Sequence, residues 1–536
     1  MKKLLALVLS LLMVLTAASA MAKTDIPDLS GLEGIARFEE PVQISFARTM
    51  DPTVLLDDTD PEKKSYTENR WINTFKDVLN VEVTFDWITS ADDDTAKWGA
   101  AIASGNLPDA GMVSDEVYKQ LVEAGLVYDC TELFANEACE KYKSYCNDDL
   151  LANMTYGGKL YGLPIPGNYY IGNALLFVRG DWLEQLNLEV PTTIDEAIAV
   201  ARAFKEAKLG GEDTIGMMFA DGSGVNDGRL QGFMNGFGAY RDIWVDVDGK
   251  LAFSNTLPEM REALLKLQEM YAEGLINKDF SVTNGTVAQE YIASGKCGIF
   301  YSTDYATTMS MQALHDLNPE AEIICVGIPG LTADAETKVQ TNAIVALKMF
   351  INKDCEHPEA VIRMMNLHVG AMTNSPESAA ALEVDTDDSF LWYKLLPWNG
   401  VHILPATNDI WVADDVRVWQ ETGVENYRGA NSQSIIEACK DPASPWWYLA
   451  TFGTGASYTY DYDMYMAGRQ LPDAFSTVPT ETMAMLGDVV NDALNTAMLE
   501  VIMGADISTY DKAVENWFAS GGQQITDEVN EWYASK

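Results

Sequence analysis

Polar and apolar positions in the first third of the chain alternate between two periods. Val42-Gln43-Ile44-Ser45-Phe46-Ala47 and Val81-Glu82-Val83-Thr84-Phe85-Asp86-Trp87 alternate with period two, as half-buried strands do. Between them, residues 67–79 place Trp71, Phe75 and Val78 at helical spacing. A second helix is predicted from about Ala91 to Ile102, closed by Ser104-Gly105 with Pro108 beyond. Ala110–Val113 reads as a short strand and Val117–Ala124 as the next helix. The order β-α-β-α-β-α predicts a parallel sheet with helices on both faces. Further on, Gly158–Pro164 is a tight turn and Ala174–Val178 an apolar strand. An amphipathic helix follows, and then one opened by Thr192 or Thr193, with acids in its first turn where the helix dipole favours them.

The N-terminus has a different pattern. Lys2 and Lys3 precede an apolar run from Leu4 to Leu15 and small residues at Ala18-Ser19-Ala20-Met21-Ala22, which reads as a signal peptide over residues 1–22. The run is too short for a comfortable membrane span, and no other stretch approaches that length. A polar leader follows, over 23–40. The first cysteine is Cys130, so there is no lipobox cysteine; the expected location is periplasmic, or extracellular at the cell surface, with no membrane insertion after cleavage.

A chain of 536 residues exceeds one hydrophobic core, so two or more domains are expected. The 36 basic and 80 acidic residues give a net charge of −44, a field that repels phosphate backbones and anionic lipid. Nucleic acid is thereby excluded as a partner. Seven cysteines without a C-x-x-C read as buried, unreacted thiols, with one disulfide among Cys130, Cys139 and Cys146 left open. The four histidines have no metal-ligand spacing, and no nucleophile elbow or phosphate loop occurs. Asp414-Asp415 and Asp461/Asp463 are paired acids of the kind a glycosidase needs, but sequence does not supply the separation that the chemistry sets. Asp246-Val247-Asp248-Gly249 has a Leu where a calcium loop needs its bidentate acid and reads as a hairpin turn.

Several phrases resemble the extracellular solute-binding proteins of ABC importers, particularly those for oligosaccharides, such as the alginate-oligosaccharide-binding and LipO-like proteins. They include Glu68-Asn69-Arg70-Trp71, Ala101 to Asp109, Gly158-Lys159-Leu160-Tyr161-Gly162-Leu163-Pro164, Phe177-Val178-Arg179-Gly180-Asp181-Trp182, Val190-Pro191-Thr192-Thr193-Ile194-Asp195-Glu196-Ala197 and Ser294-Gly295-Lys296-Cys297-Gly298-Ile299-Phe300. They run in family order from about Val42 to Tyr533. The resemblance implies an α/β, two-lobed periplasmic-binding-protein type II fold with a hinge and an interlobe ligand cleft. Lobe 1 would take 41–168 plus 297–367, and lobe 2 would take 169–296 plus 368–536 with a helical C-terminal part. It implies a monomeric receptor without catalysis, cofactor or metal, whose partners are an oligosaccharide and the transmembrane subunits of a separate ABC permease. The calcium loop of the alginate-binding relatives falls on residues 205–216, where its first oxygen ligands are replaced by Lys208, Leu209 and Gly210.

Sugar rings stack on aromatic planes, and their hydroxyls need carboxylate, amide and Arg partners, best placed at strand ends. Arg48, Trp87, Tyr170, Asn235, Trp244, Asp304, Tyr305 and Trp411 meet those conditions and are the expected ligand-binding residues. Trp71, Trp182, Trp517 and Trp532 lie on apolar helix faces and are expected in the core. The acidic balance does not favour an acidic sugar, although Arg48, Arg241 or Lys159 could make a local basic pocket. Two other readings stay open: a binder of a peptide or other non-sugar solute, and an exported carbohydrate-active enzyme.

Overall fold

A computed structural model describes residues 26–51, 54, 56–146, 148–167, 172–222, 226–341, 347–383, 392–429, 431–477 and 479–535. The expected signal peptide and Tyr170 lie outside them. The chain divides into two compact units: residues 1–144, 158–163 and 348–403 form the first, and 145–157, 164–347 and 404–536 the second.

The first unit realises the opening pattern. Val42–Thr49 pairs in parallel with Val81–Thr89 on one side and Ala110–Val113 on the other, and Leu347–Ile351 joins antiparallel to the latter. A register shift at Phe46/Ala47 sets Ala47 opposite Trp87. The intervening helices begin where side chains satisfy their first N–H groups. Asn69 accepts from Ile72 N, Ser90 from Asp93 N and Ser114 from Val117 N. Helix Ala91–Ser104 carries Asp92, Asp93 and Asp94 in its first turn and ends at a left-handed Gly105. Trp98 is fully buried, edge-on to Phe350 at 5.5 Å, and Trp71 stacks on Phe75 at 5.6 Å.

The second unit is built on Ala174–Arg179, buried along its whole length and antiparallel to Ile299–Thr303 on one side and Ile323–Gly327 on the other. Gly298 lies so close to Trp182 that a Cβ there would come within 2.1 Å of the indole ring. Trp244–Val247 and Lys250–Phe253 form the expected hairpin, turning through Asp248 and Gly249 at φ 53° and 82°. Helices Asp488–Ile502, Ser508–Trp517 and Gln523–Ala534 close over its apolar face, where Trp517 stacks on Phe253 at 5.1 Å. Trp71, Trp182 and Trp517 are core residues as expected, while Trp532 is partly buried.

The division differs from the expected one at several places: 148–157 and 164–167, expected in lobe 1, belong to the second unit. Residues 297–341, expected in lobe 1, belong to the second unit, where Ile299–Thr303 pairs with Ala174–Arg179, and 368–383 and 392–403, expected in lobe 2, belong to the first. A fully buried strand such as Ile299–Thr303 has no polar face to announce which sheet it joins.

Helix Ile194–Ala207 shows how local sequence sets an element. Thr193 accepts from Glu196 N at 3.2 Å, and the Glu196 carboxylate accepts from Thr192 N and Thr193 N at 2.8 and 3.2 Å, a complete capping box. Thr193→Ala is expected to cost about 1 kcal/mol, read as an earlier denaturant transition of the second unit.

Candidate functional site

Within the second unit a cavity of about 360 Å³ is lined by Asp221, Gly222, Arg229, Gln231, Arg241, Asp242, Gln340, Thr341 and Asp473, with Ala220, Leu230 and Ile243 as its apolar part. No aromatic ring is among them. Its wall is a mesh of paired polar groups. Arg241 N donates to Gln340 Oε1 at 2.9 Å, and Gln340 Nε2 donates back to Arg241 O at 2.7 Å. The Arg241 guanidinium grips Asp221 with both Nη atoms and pairs with Asp242 through Nε at 3.3 Å. Burial penalises this guanidinium, but the hydrogen bond and charge of Asp221, then the charge of Asp242, outweigh it and hold its pKa above the ordinary arginine value. Asp473 accepts from Trp244 N and Phe475 N at 3.0 and 2.9 Å, and burial pushes its carboxyl up to about 6.

Arg229 is placed differently. It donates to two neutral acceptors, Gly172 O at 3.0 Å and Gln231 Oε1 at 2.8 Å, and among the described residues it makes no ion pair. Burial lowers its pKa, the charges of Tyr305 and Asp304 oppose that, and Arg241 adds slightly to the lowering.

Beside the cavity lies a buried carboxylate pair. Asp304 accepts from Gly172 N at 2.7 Å and from Asn173 N at 3.0 Å, and Asp461 accepts from Asn173 Nδ2 at 2.7 Å. Burial pushes Asp304 up to about 6, while burial and then the Asp304 charge push Asp461 well above the usual range.

None of the described residues expected to bind ligand lines this cavity. Arg48 is 1% exposed and spends its guanidinium on main-chain carbonyls. Trp244 is walled in between Phe253 and Trp517, a core residue. Asn235 is buried, its amide oriented to donate to Gln231 O and Ala239 O and to accept from Gln340 N, so it supports the cavity wall from behind. Asp304 is fully buried as well. Trp87 is partly buried, edge-on to Trp98 at 5.1 Å. Tyr305 is partly buried and donates to Asn226 Oδ1 at 3.2 Å. Trp411, expected in a loop, sits on helix Asn408–Thr422 with the Arg428 guanidinium 4.9 Å from its ring. Of the three candidate cations, Lys159 pairs with Asp129 at 2.7 Å, Arg48 is interior, and Arg241 alone lines the cavity. Arg229, Asp221, Gln340 and Asp473 were not signalled by sequence, because each lies in a segment without periodicity and they meet only through the fold.

Of the paired acids, Asp461 is the buried neighbour of Asp304, and the other three are held by cations. Asp414 is bound by Arg417 and Arg428, Asp415 accepts from Arg428 Nε and Ser432 Oγ at 2.6 Å each, and Asp463 pairs with Arg417 at 3.0 Å. Among the described residues all seven cysteines are free, and no helix is long and apolar enough to cross a membrane.

The family model described as bacterial extracellular solute-binding protein matches residues 60–367, more than half of the chain. The chain belongs to that family. Among relatives of this solute-binding protein, the polygalacturonan/rhamnogalacturonan-binding protein YtcQ of Bacillus subtilis (strain 168) is 25% identical over 558 residues, covering 98% of each chain. Two solved structures share the two-lobed α/β fold. One is an HMO-binding, ABC-transporter-associated solute-binding protein from Bifidobacterium longum infantis, with a TM-score of 0.64 and 14% identity over 92% of this chain and 99% of that one. The other is the Streptococcus pneumoniae substrate-binding protein FusA in complex with kestose, with a TM-score of 0.62 and 17% identity over 92% of this chain and all of the other.

Proposed function

We propose that this solute-binding protein is the exported receptor of an ABC importer, and that it captures an oligosaccharide and delivers it to a membrane permease. The observation that carries the reading is the polar cavity of the second unit, which sets carboxylates, amides and guanidinium groups side by side. Sugar hydroxyls donate and accept at once, and that mixture of partners serves both roles. The carbohydrate ligands in the names of YtcQ and FusA point the same way. Binding without turnover is favoured because Asp414, Asp415 and Asp463 are held by Arg417, Arg428 and Ser432, while Asp461 is fully buried against Asp304. Residues 1–22 direct export, and the working form is a monomer.

The test is thermal unfolding of the chain from Lys23 onward across a panel of neutral and acidic oligosaccharides, with product analysis alongside. A ligand at about 100 times its dissociation constant adds about 2.7 kcal/mol, which moves the midpoint upward. Stabilisation by one sugar class without new products is expected. No response to any sugar, or turnover of the one that binds, would refute the reading.

A further inference from the structure

We propose that the cavity holds the carboxylate of an acidic sugar on Arg229, so that the captured oligosaccharide contains uronic acid; this rests on the receptor reading above. The relatives do not settle the charge of the ligand, since one is named for polygalacturonan and another is seen with kestose, an acidic and a neutral carbohydrate. The cavity itself distinguishes them. Its two guanidinium groups stand in contrasting states: Arg241 is ion-paired to Asp221 and Asp242, whereas among the described residues Arg229 bonds only a carbonyl and an amide oxygen and feels Asp304 through its charge, without a direct ion pair. A largely buried cation facing neutral acceptors carries a desolvation cost that an arriving carboxylate removes. A guanidinium has five N–H donors in a planar fork that matches a carboxylate, and two of the Arg229 donors are used inside the protein.

Two further features fit the same occupant. Among the described residues the lining has no aromatic ring, and its recognition groups work through charge and hydrogen bonds. The chain as a whole, at −44, repels anions, and Asp242 and Asp473 stand on the cavity wall. Screening confines distant repulsion to about 10 Å at 0.1 M salt, so a cation in contact decides the outcome. Burial leaves Asp473 partly protonated near pH 6, which reduces the local opposition.

Calorimetric titration of the chain from Lys23 onward with trigalacturonate and with its fully methyl-esterified form separates charge from shape. The acid is expected to bind about 100-fold more tightly than the ester at about 0.1 M salt. Arg229→Gln should reduce that preference to about threefold, and Arg229→Lys should restore part of it, because the lysine keeps the charge without the fork. The acid–ester comparison uses the unaltered chain and so does not depend on a variant folding. Equal affinity for acid and ester, or full preference retained in Arg229→Gln, would overturn the proposal. Binding of neutral oligosaccharides alone would overturn it while leaving the receptor reading in place, and binding of no oligosaccharide would overturn both.

Discussion

Between pH 7 and pH 4 the two units are expected to change stability in opposite directions. In the first unit, His368 Nε2 lies 3.2 Å from His402 Nδ1, and the outer nitrogens, His368 Nδ1 and His402 Nε2, have no partner among the described residues. Trp71 and Trp398 pack on His368, and Tyr393 packs on His402. Burial, then the charge of His402, holds His368 well below 6.5, and burial pushes His402 down to about 3. The unfolded chain therefore takes up protons first. The stability from neutral histidines is complete above about pH 6.5 and is lost as pH falls toward 3. At pH 4 the loss is about 3 kcal/mol for a histidine that stays neutral in the fold.

The second unit runs the other way. Asp304 and Asp473 are raised to about 6 and Asp461 further, all above the unfolded value near 4. Their folded forms hold protons that the unfolded chain has released, so their contribution is complete below about pH 4 and is lost as pH rises through 6. Between pH 7 and pH 4 each carboxyl raised to about 6 recovers about 2–3 kcal/mol. Hydrogen exchange of peptides from each unit at the two pH values, corrected for intrinsic rates, reads the two responses separately. Asp461→Asn should flatten the response of the second unit, and His402→Gln that of the first. Parallel loss of protection in both units would sink the expectation.

The two buried titrating clusters were hidden in the sequence for the same reason as the cavity. Where structure follows from neighbours in the chain, it was legible: the Thr193 cap, the Asp248-Gly249 turn and the alternation of Val81–Trp87 each encode their element within a few residues. Where it follows from pairing across hundreds of residues, local pattern carries no address. Asp304 and Asp461 meet across 157 positions, since 461 − 304 = 157, and neither is flanked by anything that marks it as interior. Trp244 opens a hairpin strand, and only the C-terminal helices decide that its ring is covered rather than offered to a ligand. The stacking expected of Trp244 fails for that reason, and the described lining of the cavity is built from charge and amide groups, while Trp71, Trp98, Trp182 and Trp517 also serve the cores.

Arg48 shows how a plausible ligand residue becomes a structural one, and its removal is expected to be among the most damaging single changes in the first unit. It follows the first strand, where a pocket arginine would stand. Instead its Nη1 donates to Leu396 O at 2.8 Å, Nη2 to Lys394 O at 3.2 Å and Nε to Thr49 O at 3.0 Å. The guanidinium also lies 3.9 Å over the Tyr66 ring. Burial lowers its pKa to about 10, so it remains charged at pH 7, stabilised by carbonyl dipoles and by the nearby charge of Asp51. One side chain thus ties the end of the central strand to a turn almost 350 residues later. Arg48→Met keeps the apolar stem but leaves the buried carbonyls without their donors, an expected loss of about 3–4 kcal/mol. Arg48→Lys should recover little, because a single ammonium cannot reach three divergent acceptors. Denaturant unfolding followed in the first unit measures the loss, and titration of the folded fraction should give a sugar dissociation constant within about threefold of the parent, unlike Arg229→Gln. A stable Arg48→Met that no longer binds sugar would return Arg48 to the ligand.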